Sequence, residues 1–140
     1  MRAATRYLGG RRFETRVGKH TIATDHTGTG PTPPDYFVAS LAACVGIYVT
    51  TYCDKVGLDT TGLTVELDYE KEPDRMSDLS ILVRLPNAEL GARAAAVQRV
   101  AEACLVHETI RTFTGCPITV EGAVVARRHE SEEATSRSRG

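Results

Sequence analysis

The feature that most constrains the fold is a stretch of 17 uncharged residues from Tyr36 to Tyr52. Seventeen residues are the lower limit for a membrane-spanning helix, and this stretch is rich in small and hydroxyl side chains without a basic flank. We therefore expect a buried helix and no membrane partner. It is apolar on nearly every face, so it must be covered all round. A chain of 140 residues can hardly do this alone, which predicts a homodimer.

Local signals at both ends of the stretch define this helix. Thr32 can cap its free amides, Pro33 suits its first position, and Asp35 stands where a capping-box acid belongs. Gly57 is suited to end it. The sequence therefore predicts a long central helix over about residues 33–55.

Short β-prone runs lie on both sides of the central helix. Three of them, separated by Gly9-Gly10 and Gly18-Lys19, predict a three-stranded meander. Asn87 is a candidate cap for a second helix. The predicted elements are strands at 3–8, 11–17 and 20–25, the central helix, strands at 61–70 and 77–85, a helix at 88–103 and a strand at 117–126. This β-β-β-α-β-β-α-β order, without βαβ alternation, predicts an α+β fold with a largely antiparallel sheet.

Composition and charge narrow the class of protein. The length fits one domain over residues 1–127, and we expect the Ser-, Glu- and Arg-rich tail over 128–140 to be disordered. Basic residues are scattered and the net charge is −1, so no nucleic-acid partner is expected. The first residues lack an apolar signal-peptide core, which predicts a cytoplasmic protein with thiols in place of structural disulfides.

The four cysteines are the main candidates for chemistry. Cys44 is placed in the central helix among small residues, and Cys53 lies half a turn out of phase with it. Cys104 is placed on the apolar stripe of the second helix, and Cys116 precedes the last strand. Three interpretations are open for them: inert small hydrophobes, zinc ligands together with His107, or a redox pair. The zinc interpretation is weak because no CxxC pair is present.

A redox pair needs a cation that holds one sulfur as thiolate, and a second sulfur that reaches the oxidised one. Arg11 and Arg12, directly after Gly9-Gly10, are candidate cations, although an arginine pair in a hairpin also fits a solvated turn. His107 is a candidate supporting group, and a structural hydrogen bond explains it equally well.

Two segments, GPTPPDYFVASLAACVGIY and CLVHETI, each contain a candidate cysteine. Taken together, they resemble the OsmC/Ohr family of osmotically inducible and organic hydroperoxide resistance proteins. The segment GPTPPDYFVASLAACVGIY resembles the first-cysteine helix of that family, and CLVHETI resembles its second-cysteine motif. Cys104 follows Cys44 by sixty residues, and the GGRRF hairpin also fits. The resemblance covers about residues 5–126.

The resemblance implies an intertwined homodimer with two sites, each near the interface and drawing on both chains. It implies a thiol peroxidase of oxidative stress defence in which Cys44 attacks an organic hydroperoxide and Cys104 resolves the product as a disulfide. Arg11 corresponds to the thiolate-stabilising arginine, with Arg12 as the alternative. The implied reductant is an external dithiol of the lipoyl type, and no metal or organic cofactor is implied.

One position departs from the family pattern. The peroxidase branches carry a glutamate ten residues before the first cysteine, which holds the arginine, and here that position is Pro34. Asp35 is the nearest acid, and on a regular helix it faces away from Cys44. A capping role for Asp35 is favoured over a catalytic one. The departure keeps a second function open, that of a dimeric small-ligand-binding or stress-response protein of the same fold.

Overall fold

The computed structural model describes residues 1–123 of the chain. Three antiparallel strands come first: β1 (Ala3–Gly9), β2 (Arg12–Val17) and β3 (His20–Asp25), paired in the order β1-β2-β3. Gly9, Gly10 and Arg11 all have positive φ at the first turn, and Gly18 does so at the second. Two glycines supply this left-handed geometry at little cost, and so they fix the turn where the sequence predicts it. The predicted meander is confirmed.

The central helix, α1 (Pro33–Val56), begins and ends where its local signals lie. Its first turn carries the predicted capping box, in which the Thr32 backbone N–H donates to Asp35 Oδ2 at 2.9 Å. Gly57 follows with φ 76° in the left-handed region. Its backbone N–H is directed to the carbonyl of Cys53, which closes the last turn.

The core lies along one face of α1. Leu41, Val45, Val49 and Cys53, spaced every four residues, are buried there. They pack against a two-stranded antiparallel sheet, β4 (Thr64–Lys71) and β5 (Met76–Arg84), whose alternate side chains point inward. The architecture is α+β with antiparallel sheets, as predicted.

The opposite face of α1 is open, so the described residues of a single chain do not cover the helix on all sides. Ile47 lies 200° around the helix from both Val45 and Val49. It is 63% exposed, and Tyr48 beside it is also exposed. Among residues 1–123, α1 is the one helix long and apolar enough to cross a membrane, but its packing on β4 and the later helices is that of a core helix.

The second helical region differs from the prediction of one helix over 88–103. Residues Gly91–Arg93 form a short 3₁₀ turn, followed by α2 (Ala94–Glu102) and then by α3 (Leu105–Thr112), which the sequence did not predict. Gly91 has φ 50°, which is incompatible with an α-helix passing through it. Asn87 is not a cap, because its side-chain amide donates to the Thr61 carbonyl at 2.8 Å.

The predicted last strand is not formed over residues 117–123. This segment pairs with no other part of the described chain, and Ile118 and Val120 stand almost fully in solvent. A strand needs a neighbouring strand for its hydrogen bonds, and the single chain supplies none here. Residues 124–126 of the predicted strand and the predicted disordered tail lie outside the described residues.

The three-stranded meander is thinly connected to this body. The main packing partners of β1, β2 and β3 are one another. Tyr7 and Phe13 stack across the strands with ring centroids 5.3 Å apart, yet both remain exposed. Two hydrogen bonds tie β3 to the start of α1: the Tyr36 hydroxyl donates to the Ala23 carbonyl at 2.6 Å, and the Asp25 N–H donates to the Pro31 carbonyl at 3.0 Å.

Candidate functional site

The structure brings Cys44 and Cys104 together. Cys44 lies in the middle of α1, one residue before the buried Val45, and it packs against the core while part of its surface stays exposed. Cys104 is fully buried in the same core, at 0% exposure. Cys44 packs against the buried cluster that contains Cys104, and its thiol is close enough to raise the pKa of Cys104.

Cys104 lies at the joint between α2 and α3, not on α2 as the sequence predicted. Its backbone is extended, with φ −58° and ψ 142°, so the chain leaves α2 and begins a new helix at this residue. The Cys104 side chain caps α3 by accepting a hydrogen bond from the His107 N–H at 3.2 Å. The sulfur is therefore held against the free amides at a helix N-terminus.

Opposing effects act on the ionisation of Cys104. Burial raises the pKa of its thiol, because a thiolate loses solvation in the core. The hydrogen bond from the His107 N–H lowers that pKa, and the neighbouring Cys44 thiol raises it. The net direction is upward, so Cys104 is held as a neutral thiol at neutral pH. Such a sulfur suits a resolving role better than that of a standing thiolate nucleophile.

His107 contacts Cys104 through its backbone N–H. Its ring Nδ1 lies 2.8 Å from the Glu102 carbonyl oxygen. A carbonyl only accepts, so Nδ1 carries the proton and Nε2 remains the acceptor of the neutral ring. The bond joins the end of α2 to α3, and it fixes the joint that holds Cys104.

Neither candidate arginine lies beside the cysteines in the single chain. Arg11 is exposed in the β1–β2 turn with φ 63°, and its carbonyl accepts from the His26 N–H at 3.1 Å. Arg12 begins β2 opposite Asp25 in the strand register. Within residues 1–123, no arginine is among the groups that shift the pKa of Cys104.

The acids near the start of α1 are engaged in structure. Asp35 is held in the capping box, and the hydrogen bonds from Thr32 lower its pKa. Asp25 accepts from the Thr27 N–H at 2.7 Å and from the Thr29 hydroxyl at 2.6 Å. Hydrogen bonds from Thr27 are the largest cause that lowers the pKa of Asp25 to about 2, and the charge of Arg12 contributes least. Asp25 therefore anchors the loop between the meander and α1.

The remaining cysteines do not join the pair. Cys53 is fully buried on the core face of α1, and burial raises the pKa of its thiol. Cys116 is exposed, just after α3 in the chain. In the described part of the chain, no three His, Cys, Asp or Glu side chains are grouped so that they could hold a metal ion.

An apolar cavity lies near the pair. It has a volume of about 650 Å³ and lies between α1, β5, α2 and α3. Its lining is mainly apolar and includes Leu41, Val45, Ile81 and Val97. Neither Cys44 nor Cys104 lines it, although His107 does.

Comparison with known proteins identifies the family. The sequence profile of the OsmC-like protein family matches residues 26–121, which include both cysteine motifs. No curated protein sequence matches the chain.

Solved structures share the fold at low sequence identity. An OsmC-like protein of Mycoplasma pneumoniae superposes with a TM-score of 0.65 at 15% identity, covering 80% of this chain and 87% of that one. The organic hydroperoxide resistance protein OsmC of Legionella pneumophila gives 0.55 at 18% identity, covering 79% and 88%. OhrB, the organic hydroperoxide resistance protein of Bacillus subtilis, gives 0.55 at 17% identity, covering 80% and 90%. The chain belongs to the OsmC-like protein family.

Proposed function

We propose that the protein is a thiol-dependent peroxidase that reduces organic hydroperoxides, with Cys44 as the nucleophile and Cys104 as the resolving cysteine. The observation that carries the proposal is the proximity of two thiols. The Cys44 thiol is partly exposed, and the Cys104 thiol is fully buried at the start of α3. Membership of a family that includes hydroperoxide resistance proteins supports it. The protein would then be a soluble, cytoplasmic enzyme of oxidative stress defence.

The chemistry follows from the two environments. The Cys44 thiolate attacks the outer oxygen of the hydroperoxide, an S–O bond forms, the O–O bond breaks, and the alkoxide takes a proton and leaves as an alcohol. Cys104 then attacks the Cys44 sulfenic acid, which releases water and forms a disulfide. Because the two thiols are neighbours, this step precedes the irreversible further oxidation of Cys44.

A second copy of the chain is part of the proposal. The open face of α1 and the exposed apolar side chains of the meander are surfaces that a single chain leaves in water. An isolated three-stranded sheet of this kind has little apolar cover of its own. In a homodimer these surfaces would be buried, and a meander packed against the partner would bring Arg11, or Arg12 in its place, to the partner's cysteine pair.

Such an arginine would supply the positive charge that a thiolate at Cys44 needs. A guanidinium stays charged at working pH, and it stabilises both the thiolate and the negative charge that develops on the peroxide. The reductant would be an external dithiol of the lipoyl type, and the reaction needs no metal or organic cofactor.

A turnover assay tests the proposal. Purified protein is given cumene hydroperoxide with dihydrolipoamide, and peroxide loss is followed over time. We expect turnover by the wild type, none above background for Cys44→Ser, and a single burst without turnover for Cys104→Ser. Cys116→Ser is the matched control, because Cys116 is exposed and outside the pair, and it should leave the rate unchanged. Equal rates for the wild type and Cys44→Ser would refute the peroxidase.

A second candidate function is the binding of a small apolar ligand in the same fold. The cavity of about 650 Å³ favours it, as does Pro34 in the place of the acid that holds the arginine. Thiol counting after one equivalent of hydroperoxide separates the two functions. Loss of two thiols per chain with a Cys44–Cys104 link supports the peroxidase, and unreactive thiols support the binding protein.

A further inference from the structure

The two sulfurs of the proposed Cys44–Cys104 disulfide differ in what an external thiol can reach. Cys104 is 0% exposed, enclosed by α1, α2 and its own helix α3. Cys44 keeps part of its surface in solvent. A thiolate attacks a disulfide along the sulfur–sulfur axis, so it needs open space behind the sulfur it attacks.

We propose that the dithiol reductant attacks Cys44, so that the covalent intermediate of reduction is carried by Cys44 and Cys104 is the leaving thiolate. The inference rests on the proposed function and names the sulfur at which the second substrate enters. Both the hydroperoxide and the dithiol then use the same sulfur in turn.

The step balances in atoms and electrons. One thiolate of the dithiol bonds to the Cys44 sulfur, the Cys44–Cys104 bond breaks, and its electron pair goes to Cys104. The second thiolate of the reductant then attacks the reductant's first sulfur, which is bonded to Cys44. This closes the cyclic disulfide of the oxidised reductant and releases the Cys44 thiolate. The two protons of the dithiol end on the two protein thiols. The reductant loses two electrons and the protein disulfide gains them.

The joint between α2 and α3 stabilises the negative charge that the Cys104 sulfur acquires as it leaves. The His107 N–H stands 3.2 Å from Cys104 Sγ, at the start of α3, where free backbone amides and the helix dipole favour a negative charge. The Nδ1 bond of His107 to the Glu102 carbonyl, at 2.8 Å, holds that N–H in place. The Cys104 thiolate, once separated from Cys44, therefore accepts the same hydrogen bond from the His107 N–H that Cys104 accepts in the reduced protein.

One property of Cys104 acts in the other direction. Burial raises the pKa of this thiol, and a more basic thiolate is a slower leaving group. The higher basicity of the Cys104 thiolate slows its departure but does not prevent it. A sulfur without accessible surface, by contrast, cannot be attacked by an external thiol until the fold opens. Access therefore outweighs leaving-group basicity, and attack at Cys44 is the faster route.

The experiment maps the mixed disulfide. A Cys116→Ser protein is oxidised with one equivalent of cumene hydroperoxide, and peptide mass spectrometry establishes the Cys44–Cys104 link. The oxidised protein then meets 2-mercaptoethanol briefly, acid stops the exchange, and the free thiols are labelled with N-ethylmaleimide in denaturant at near-neutral pH. We expect the mercaptoethanol adduct on Cys44 and the maleimide on Cys104, in at least roughly tenfold excess over the reverse pattern.

A second measurement does not depend on oxidation. In the same background, the rate of reaction with 5,5′-dithiobis(2-nitrobenzoate) is compared for Cys104→Ser, which keeps Cys44, and Cys44→Ser, which keeps Cys104. Cys53, equally buried at 0% exposure, is the internal standard for a closed thiol. Cys44 should react at least roughly tenfold faster than Cys104, and Cys104 about as slowly as Cys53.

The outcomes separate the two proposals. Adducts on Cys104 at a level equal to or above those on Cys44 would overturn the inference and leave the peroxidase intact. Failure to form the intramolecular disulfide at the first stage would refute the peroxidase, and this inference with it.

Discussion

Truncation of Ile47 tests the proposed dimer at the open face of α1. Burying a whole isoleucine side chain stabilises by about 1.5–3 kcal/mol. Ile47 is 63% exposed in the single chain, so covering it in a dimer contributes roughly 1–2 kcal/mol per copy at that rate. A twofold interface contains the residue twice. Ile47→Ala should therefore weaken the dimer by about 2–4 kcal/mol, a rise in Kd of roughly 30- to 700-fold.

Sedimentation equilibrium over a range of protein concentrations measures this Kd directly. Val49→Ala is the matched control, because Val49 lies two residues further along α1 and is 0% exposed inside its own chain. It should lower the melting temperature through loss of core packing and leave the dimer Kd of the folded protein near that of the wild type. A wild type that stays monomeric at micromolar concentrations, or an Ile47→Ala protein with an unchanged Kd, would refute the reasoning.

Two further predictions concern the segments that place Cys44. Asp25→Asn should lower the melting temperature at pH 7, because hydrogen bonds in the folded protein lower the pKa of Asp25 from its ordinary value of 3.8 to about 2. The stabilising effect of Asp25 is therefore present above pH 3.8 and is lost as the pH falls towards 2. The difference from the wild type in melting temperature should shrink between pH 7 and pH 3, and a difference independent of pH would contradict it. Gly57→Ala should destabilise the protein by about 1 kcal/mol in urea unfolding, because Gly57 ends α1 with φ 76°. Gly122→Ala, at an exposed position with open space around it, is the control and should have no effect, and an equal loss in both variants would argue against a special role for Gly57.

The parts of the fold that follow from neighbours in the chain were predictable. Local signals place both ends of α1 to within one turn: the capping box of Thr32 and Asp35 at its start and Gly57 at its end. The paired glycines Gly9 and Gly10 likewise place the first turn of the meander. Which face of α1 is buried was not predictable, since it depends on what packs against the helix.

The candidate site was predictable only in its cysteines. The apolar spacing of α2 continues as far as Cys104, and cysteine is not a usual helix cap. No local signal therefore indicates that α2 ends before Cys104 and that α3 begins after it. The meeting of Cys44 with Cys104 arises where α1 packs on α3, which is a tertiary contact. The strand predicted over 117–126 needs a neighbouring strand that residues 1–123 do not supply. The place of Arg11 in the proposed site depends on a partner chain.

The weak attachment of the meander has a consequence for folding kinetics. Its strands pair within residues 3–25, so its hairpins close early and over short loops, yet they gain little lasting stability from their own chain. Under the proposed dimer, the final consolidation of this sheet is a reaction between two molecules. Refolding from urea should then contain a phase whose rate rises in proportion to protein concentration, while the formation of α1 with β4 and β5 proceeds at a rate that dilution leaves unchanged.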